Sequence, residues 1–313
     1  NSMPTTKYFH ILAFFKMAAP MGKISVLRNV MFSCQKCFLA RYSSSTVTSK
    51  GVRHDEASNV NQGHIPTTPF QKGLLAAGSG VTAFFSPWRD DMVHYFGETT
   101  GYLALRWMRQ KMMDDPVGRQ ILEIYISCCR EKPRINSSTV DLDYLSKLPP
   151  GTLGREYITF LETNNITPDD RLCVSFIDDV DLAFTLTRYR EVHDLVHTVL
   201  GMPTNMLGEV VVKWVEAIQT GLPMCFLGAL FSPLRFGPVY RQRYLSAYWA
   251  WSLRVGAQSK TLLNVYFERH WEDNLEELKR EWNIEPLPVV KDKSGLSGTI
   301  TTRAVTTVRS HHY

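Results

Sequence analysis

Apolar residues recur at the spacing of an α-helix over almost the whole sequence from Thr68 to Pro288. This periodicity is typical of helices that pack one face against a common core. Clusters such as Pro149-Pro150-Gly151 separate the periodic stretches, and no pair of stretches shows the alternation expected of paired strands. The predicted helices are 72–85, 92–113, 154–164, 180–200, 204–220, 239–252 and 261–283. The sequence therefore predicts an all-α fold, with a single multi-helix domain over 68–288.

The two ends of the chain differ in composition from this body. Residues 1–54 contain eight Lys or Arg, no Asp or Glu, and many Ser, which is typical of a mitochondrial presequence. The polar stretch 55–67 is predicted to be a linker, and the Ser/Thr-rich stretch 289–313 a disordered tail. Between Asp55 and Pro288, 23 basic residues stand against 29 acidic ones. Because the body is acidic, no nucleic-acid partner is expected.

The strongest candidate for chemistry is the motif His193-Asp194-Leu195-Val196-His197, which Glu209 follows. At about 100° per residue, the two histidines and Asp194 share one arc of a helix, and apolar residues fill the opposite arc. We therefore expect the polar face to lie away from the core. Gly201-Met202-Pro203 ends this helix, and Thr204 is the predicted N-cap of the next. Such a helix-turn-helix can return Glu209 across the first helix and complete an N₂O₂ metal site.

Spacing alone leaves other interpretations of this motif open. Histidine and aspartate on a polar helix face are often only solvated. The metalloprotease signature needs Glu directly after the first His, whereas this chain has Asp194. Metal-dependent phosphohydrolases also use a His-Asp doublet, together with a further upstream His, for which His94 is a candidate.

A longer run around the motif resembles a known family. The run is Thr187-Arg188-Tyr189-Arg190-Glu191-Val192-His193-Asp194-Leu195-Val196-His197, with Gly208-Glu209-Val210 and Gly221-Leu222-Pro223-Met224 downstream. It closely resembles the ubiquinone (coenzyme Q) biosynthesis protein family Coq-four, and the resemblance extends from about Thr68 to Pro288.

This resemblance implies a site, an activity and a location. The implied ligands of a zinc ion (Zn²⁺) are His193, Asp194, His197 and Glu209. The implied enzyme is a carbon–carbon lyase, a decarboxylase that removes the C1 carboxylate of a 4-hydroxy-3-methoxy-5-polyprenylbenzoate. The implied location is the matrix face of the mitochondrial inner membrane, as a peripheral protein in a complex of ubiquinone-biosynthesis enzymes.

The chemistry of these residues suggests finer roles and alternatives. Arg190 shares the motif's face and is predicted to bind the substrate carboxylate, because a guanidinium matches a carboxylate. Lys213 and Glu216 are predicted to support the ligands. Four protein ligands form a closed zinc site, so catalysis would require a fifth ligand or release of a carboxylate. An N₂O₂ set also suits Fe²⁺ or Mn²⁺, which keeps oxidative decarboxylation with hydroxylation of C1 open. A non-catalytic scaffold that binds polyprenylated intermediates and organises the complex is the other alternative.

Two apolar segments, 73–88 and 221–236, are too short to span a membrane. They are either core helices or an apolar surface for a polyprenyl tail or a bilayer. Arginines and aromatic residues follow the second segment, which suits an anionic membrane surface. An apolar insertion at 124–129 departs from the family pattern, and its origin in a splicing or gene-model product stays open.

Overall fold

The computed structural model describes residues 63–86, 89–123, 133–288, 290–291 and 297–298. The predicted presequence 1–54, the insertion 124–129 and most of the predicted linker and tail lie outside the described residues. The division of the chain into presequence, linker, domain and tail therefore stays a prediction.

The described residues form mainly helices. The α-helices are α1 (Pro69–Phe85), α2 (Asp90–Thr100), α3 (Tyr102–Asp114), α4 (Pro116–Glu123), α5 (Leu142–Ser146), α6 (Leu153–Asn164), α7 (Val180–Leu200), α8 (Met206–Thr220), α9 (Pro223–Phe231), α10 (Pro238–Arg243), α11 (Trp249–Gln258) and α12 (Leu275–Glu281). Short 3₁₀ helices lie at Pro168–Asp170, Ser232–Arg235, Leu262–Asn264 and Phe267–Arg269, and a π-helical turn at Tyr244–Tyr248 joins α10 to α11. A two-residue antiparallel pair, β1 (Val290–Lys291) and β2 (Ser297–Gly298), follows.

The all-α prediction is confirmed, apart from this short strand pair near the C-terminus. The predicted helix 92–113 is two helices, α2 and α3, which meet at Gly101. The prediction of one helix over 261–283 is wrong, because two 3₁₀ helices precede α12. Asn274 starts α12 by accepting hydrogen bonds from the backbone amides of Glu276 and Glu277. This cap falls within the apolar pattern, which therefore did not reveal the helix start.

Helix α7 is buried around its whole circumference from Leu182 to Leu200, apart from the half-buried Thr187. Its N-cap, Asp179, accepts hydrogen bonds from two backbone amides, and Gly201 ends it at φ 66°, a left-handed conformation that glycine adopts readily. The prediction that the motif's face lies away from the core is wrong: His193 is 7% exposed, Asp194 2% and His197 0%. The polar side chains of α7 are buried because distant segments supply their partners. The ion pairs are Arg188–Glu268, Arg190–Glu98, Glu191–Arg134 and Asp194–Arg171.

A tight turn brings α8 back against α7. The N-cap of α8 is Asn205, whose Oδ1 accepts from the Gly208 amide at 3.0 Å, and not the predicted Thr204, which bonds to Asn164 instead. A Cβ on Gly208 would lie 2.0 Å from the carbonyl oxygen of Pro203. Only glycine therefore allows this close approach, which sets the position of the next residue.

In the part of the chain that the structure describes, no helix has both the length and the apolar character needed to cross a membrane.

Candidate metal centre

Three side chains from α7 and α8 bring potential metal ligands together. One ligand atom from each of His193, His197 and Glu209 lies within 4.8 Å of the others. The Nε2 atom of His197 is 3.3 Å from Glu209 Oε1, and the Nε2 atom of His193 is 3.8 Å from Glu209 Oε2. The two imidazoles stand edge to face, with ring centroids 4.8 Å apart. We call these three residues the metal triad.

Both imidazoles are held through the ring nitrogen that faces away from the triad. His193 Nδ1 lies 2.6 Å from Glu216 Oε1, and His197 Nδ1 lies 3.0 Å from the carbonyl oxygen of Met202. These acceptors place the proton on Nδ1 of a neutral ring and leave Nε2 with a free lone pair. His197 Nε2 is buried without a hydrogen-bond partner, although Glu209 is near. The residues therefore fit a divalent cation, which would satisfy this atom.

The electrostatics of the triad also suit a cation. Burial raises the pKa of Glu209, but His197 and His193 outweigh that effect and hold this pKa at about 2. Burial lowers the pKa of His193 despite the Glu216 carboxylate. Burial also lowers the pKa of His197, but the Glu209 carboxylate acts in the opposite direction, and the pKa of His197 is raised overall. An ionised Glu209 and a neutral His193 are the protonation states that metal binding requires, whereas a metal at His197 competes with the proton that the Glu209 carboxylate favours there.

Asp194, the fourth predicted ligand, is placed differently. Its carboxylate forms a buried ion pair with Arg171, and it is not part of the close group of ligand atoms. The structure thus brings three of the four predicted ligands together, and a metal-binding role for Asp194 stays a prediction. A set of two imidazoles and one carboxylate leaves coordination positions open, as in catalytic zinc sites and the facial triads of Fe²⁺ enzymes.

Arg190, the predicted substrate-binding residue, is bound to other protein groups. Its Nη1 donates to the Leu172 carbonyl oxygen and its Nη2 to Glu98 Oε1, each at 2.8 Å. Its side chain is 3% exposed. The same Glu98 carboxylate accepts from the backbone amides of Ser175 and Phe176. Arg190 thus ties α7 to α2 and to the preceding loop, and its contact with a substrate stays a prediction.

A buried polar network supports His193 from behind. The Glu216 carboxylate accepts from the Tyr189 hydroxyl at 2.7 Å and from Lys213 Nζ at 3.0 Å, in addition to His193. Burial raises the pKa of Glu216, but His193 and Lys213 hold this pKa well below the usual range. Glu216 thus contacts the predicted ligand His193, and the supporting role of Glu216 and Lys213 stays a prediction.

Two members of this network were missed by the sequence analysis. Tyr189 precedes His193 by one helical turn, a spacing that is a usable signal. The thiol of Cys225 lies 3.0 Å from the Tyr189 hydroxyl, and burial raises the pKa of this thiol to about 12. Nothing local in the sequence indicates that contact.

His94, which the phosphohydrolase interpretation requires, is not among the grouped ligand atoms of the described residues. Its Nδ1 is buried without a hydrogen-bond partner. Burial, together with Arg190 and Arg171, lowers its pKa to about 3, so this imidazole is neutral. The structure thus gives the phosphohydrolase interpretation no support.

Known proteins are similar to this chain in sequence. The sequence model of the family described as coenzyme Q (ubiquinone) biosynthesis protein Coq4 matches residues 61–288. The chain is 50% identical over 238 residues to the human protein named mitochondrial ubiquinone biosynthesis protein COQ4 homolog, covering 76% of this chain and 87% of that one. It is 54% identical over 226 residues to the zebrafish (Danio rerio) protein of the same name, covering 72% and 81%.

A solved structure shares the fold. The crystal structure of a protein from Nostoc punctiforme matches with a TM-score of 0.52 and 21% sequence identity. The match covers 70% of this chain and 100% of that chain. At this identity the likeness concerns the arrangement of helices alone.

Proposed function

Because the chain belongs to the family of coenzyme Q (ubiquinone) biosynthesis protein Coq4, and is therefore a ubiquinone biosynthesis protein, we propose that it is the decarboxylase acting on a 4-hydroxy-3-methoxy-5-polyprenylbenzoate. The observation that carries this proposal is the metal triad, with an unpartnered buried Nε2 and open coordination positions. Catalytic metal sites have this form, whereas structural zinc sites are closed by four ligands.

The reaction exchanges a carboxylate for a proton at C1. The para oxygen of the ring donates electrons, so C1 accepts a proton while the ring loses aromaticity. The bond between C1 and the carboxylate then breaks, its electron pair restores the ring, and carbon dioxide leaves. When bound by the triad, a divalent cation supplies Lewis acidity that orients the substrate oxygens and stabilises their charge.

The chain's own residues position this chemistry. Glu216 fixes the orientation and tautomer of His193, and the Met202 carbonyl does the same for His197. Lys213 balances the charge of Glu216 within the buried network. We take Zn²⁺ as the metal, since two imidazoles and a carboxylate are a common catalytic zinc set, and Fe²⁺ and Mn²⁺ fit the same donors.

An exposed apolar surface supports a peripheral membrane location, which we propose to be the matrix side of the inner membrane. Residues 217–267 contain no Asp or Glu but several arginines. Large apolar side chains in this stretch and on α1 are exposed: Phe70 80%, Val81 60%, Phe85 72%, Leu234 71%, Val239 57% and Leu245 65%. Arg235 joins the two parts, because it bonds to the Phe84 carbonyl oxygen and lies over the Phe84 ring. We propose that these six residues and Arg235 form one surface, which we call the apolar-basic surface; such a surface suits anionic lipid and a polyprenyl tail.

We further propose that the protein works in a complex of ubiquinone-biosynthesis enzymes. A polyprenylated substrate stays at the membrane, so enzymes that act on successive intermediates gain from proximity. The name shared by the relatives supports the pathway, and the partners themselves belong to the proposal.

The test uses the purified full chain, loaded with zinc and given the prenylated benzoate labelled with ¹⁴C in its carboxylate. We expect labelled carbon dioxide in wild type and none in Glu209→Gln. A product with hydrogen at C1 supports simple decarboxylation, and a product with hydroxyl at C1 supports the oxidative alternative. Substrate binding without carbon dioxide release, with any of the three metals, would leave the scaffold alternative and refute the proposed activity.

A further inference from the structure

We propose that Arg171 is the residue that binds the substrate carboxylate beside the metal triad. The inference rests on the proposed function and names the residue that selects a carboxylated ring. It transfers to Arg171 the role that the sequence analysis predicted for Arg190.

The position of Arg171 differs from that of Arg190. Arg171 directly follows the 3₁₀ helix Pro168–Asp170, and its Nη2 pairs with Asp194, the residue next to His193. The Arg171 side chain is 27% exposed, against 3% for Arg190. Solvent therefore reaches part of the Arg171 side chain, whereas protein groups enclose that of Arg190.

Arg171 also has unused hydrogen-bonding capacity. Its Nε is buried without a hydrogen-bond partner. A guanidinium presents pairs of N–H groups in a rigid fork, and a carboxylate accepts two of them at once. The Nε atoms of Arg188 and Arg190 are likewise buried without a partner, but those side chains are 0% and 3% exposed, so Arg171 is the one of the three that combines an unpartnered Nε with a partly exposed side chain.

Three cations near the triad, Arg171, Lys213 and Arg190, each have a carboxylate partner. Lys213 bonds to Glu216 at 3.0 Å, and Arg190 bonds to Glu98 at 2.8 Å. Arg171 combines three features: its partner Asp194 is the residue next to His193, its Nε has no hydrogen-bond partner, and its side chain is 27% exposed.

The test measures binding instead of turnover. Calorimetry with the zinc-loaded full chain compares 4-hydroxy-3-methoxybenzoate with 2-methoxyphenol, the same ring without its carboxylate. We expect wild type to prefer the acid. Arg171→Met should weaken acid binding by about tenfold to a hundredfold, the range for loss of charge-assisted hydrogen bonds, and leave phenol binding unchanged. Arg171→Lys keeps the charge but not the pair of N–H donors, so its affinity for the acid should lie between those of wild type and Arg171→Met. This variant also provides the test if Arg171→Met does not fold.

Several outcomes would overturn the inference. The first is that wild type binds the acid no better than the phenol. The second is that the Arg171 variants keep the wild-type preference for the acid. The third is that folded variants, which keep zinc and a cooperative thermal transition, lose binding of the acid and the phenol equally. Failure of the proposed decarboxylase activity would give a different result. The preference for the acid would still depend on Arg171, but no carbon dioxide would form. Carbon dioxide release with an unchanged preference in Arg171→Met would refute the role of Arg171 alone.

Discussion

Removal of the Glu216 carboxylate should destabilise the protein strongly even without a metal. Glu216 is 4% exposed and accepts from His193 at 2.6 Å, Tyr189 at 2.7 Å and Lys213 at 3.0 Å. Glu216→Ala leaves these three donors without their acceptor inside the protein. Loss of one partner of a buried ion pair costs about 3–5 kcal/mol, and we expect a decrease of that size in the free energy of unfolding.

Urea unfolding of the full chain in EDTA measures this loss without a contribution from metal binding. Glu162→Ala, on the exposed side of α6, is the matched control and should change stability by less than about 0.5 kcal/mol. Glu216→Gln keeps an acceptor near His193 but removes the charge, so its loss should be smaller. In this variant, zinc affinity measured by chelator competition should fall by about 10-fold to 100-fold. A loss below about 1 kcal/mol in Glu216→Ala would show that the buried network does not hold α7 and α8 together.

Three further substitutions test other parts of the structure. Gly208→Ala places a Cβ 2.0 Å from a backbone oxygen, so it should lower the free energy of unfolding in urea by about 1–3 kcal/mol and weaken zinc binding. Gly228→Ala is the control, because its Cβ would meet nothing closer than 4.0 Å. Equal stability of the two variants would contradict the tight turn. Leu234→Glu should reduce flotation of the protein with cardiolipin-containing vesicles, whereas Leu103→Glu, 76% exposed on α3 outside the apolar-basic surface, should not; equal flotation would refute that surface as the membrane contact. Arg190→Met should cost about 3–5 kcal/mol by leaving a buried carboxylate unpaired, and a stable Arg190→Met protein that loses only its carboxylate preference would restore the sequence-based role of Arg190.

Local signals in the sequence were sufficient to predict where α7 lies. Its bounds, Val180–Leu200, agree with the prediction because an Asp N-cap and a left-handed Gly C-cap stand directly at its ends. The turn through Pro203 to α8 was predicted for a similar reason, although the cap is Asn205. A capping residue acts on backbone groups only three or four residues away, so the residues that define a helix end can be recognised in the sequence itself.

The burial of the motif's face could not be predicted from the sequence. The spacing of His193, Asp194 and His197 is that of a solvated polar face, yet these residues are buried. Their burial depends on partners that are far away in the chain, such as Glu216 for His193 and Arg171 for Asp194. Helical periodicity records which residues share a face, but it does not record what covers that face.

Metal content measured by mass spectrometry on the purified full chain tests the central claim most directly. The proposed zinc centre predicts about one zinc ion per chain after loading and dialysis in wild type and in His270→Ala, which removes a histidine outside the triad. It predicts almost none in His197→Ala and Glu209→Gln, provided that circular dichroism shows wild-type helix content. Equal zinc content in wild type and these two variants would contradict a metal centre at His193, His197 and Glu209.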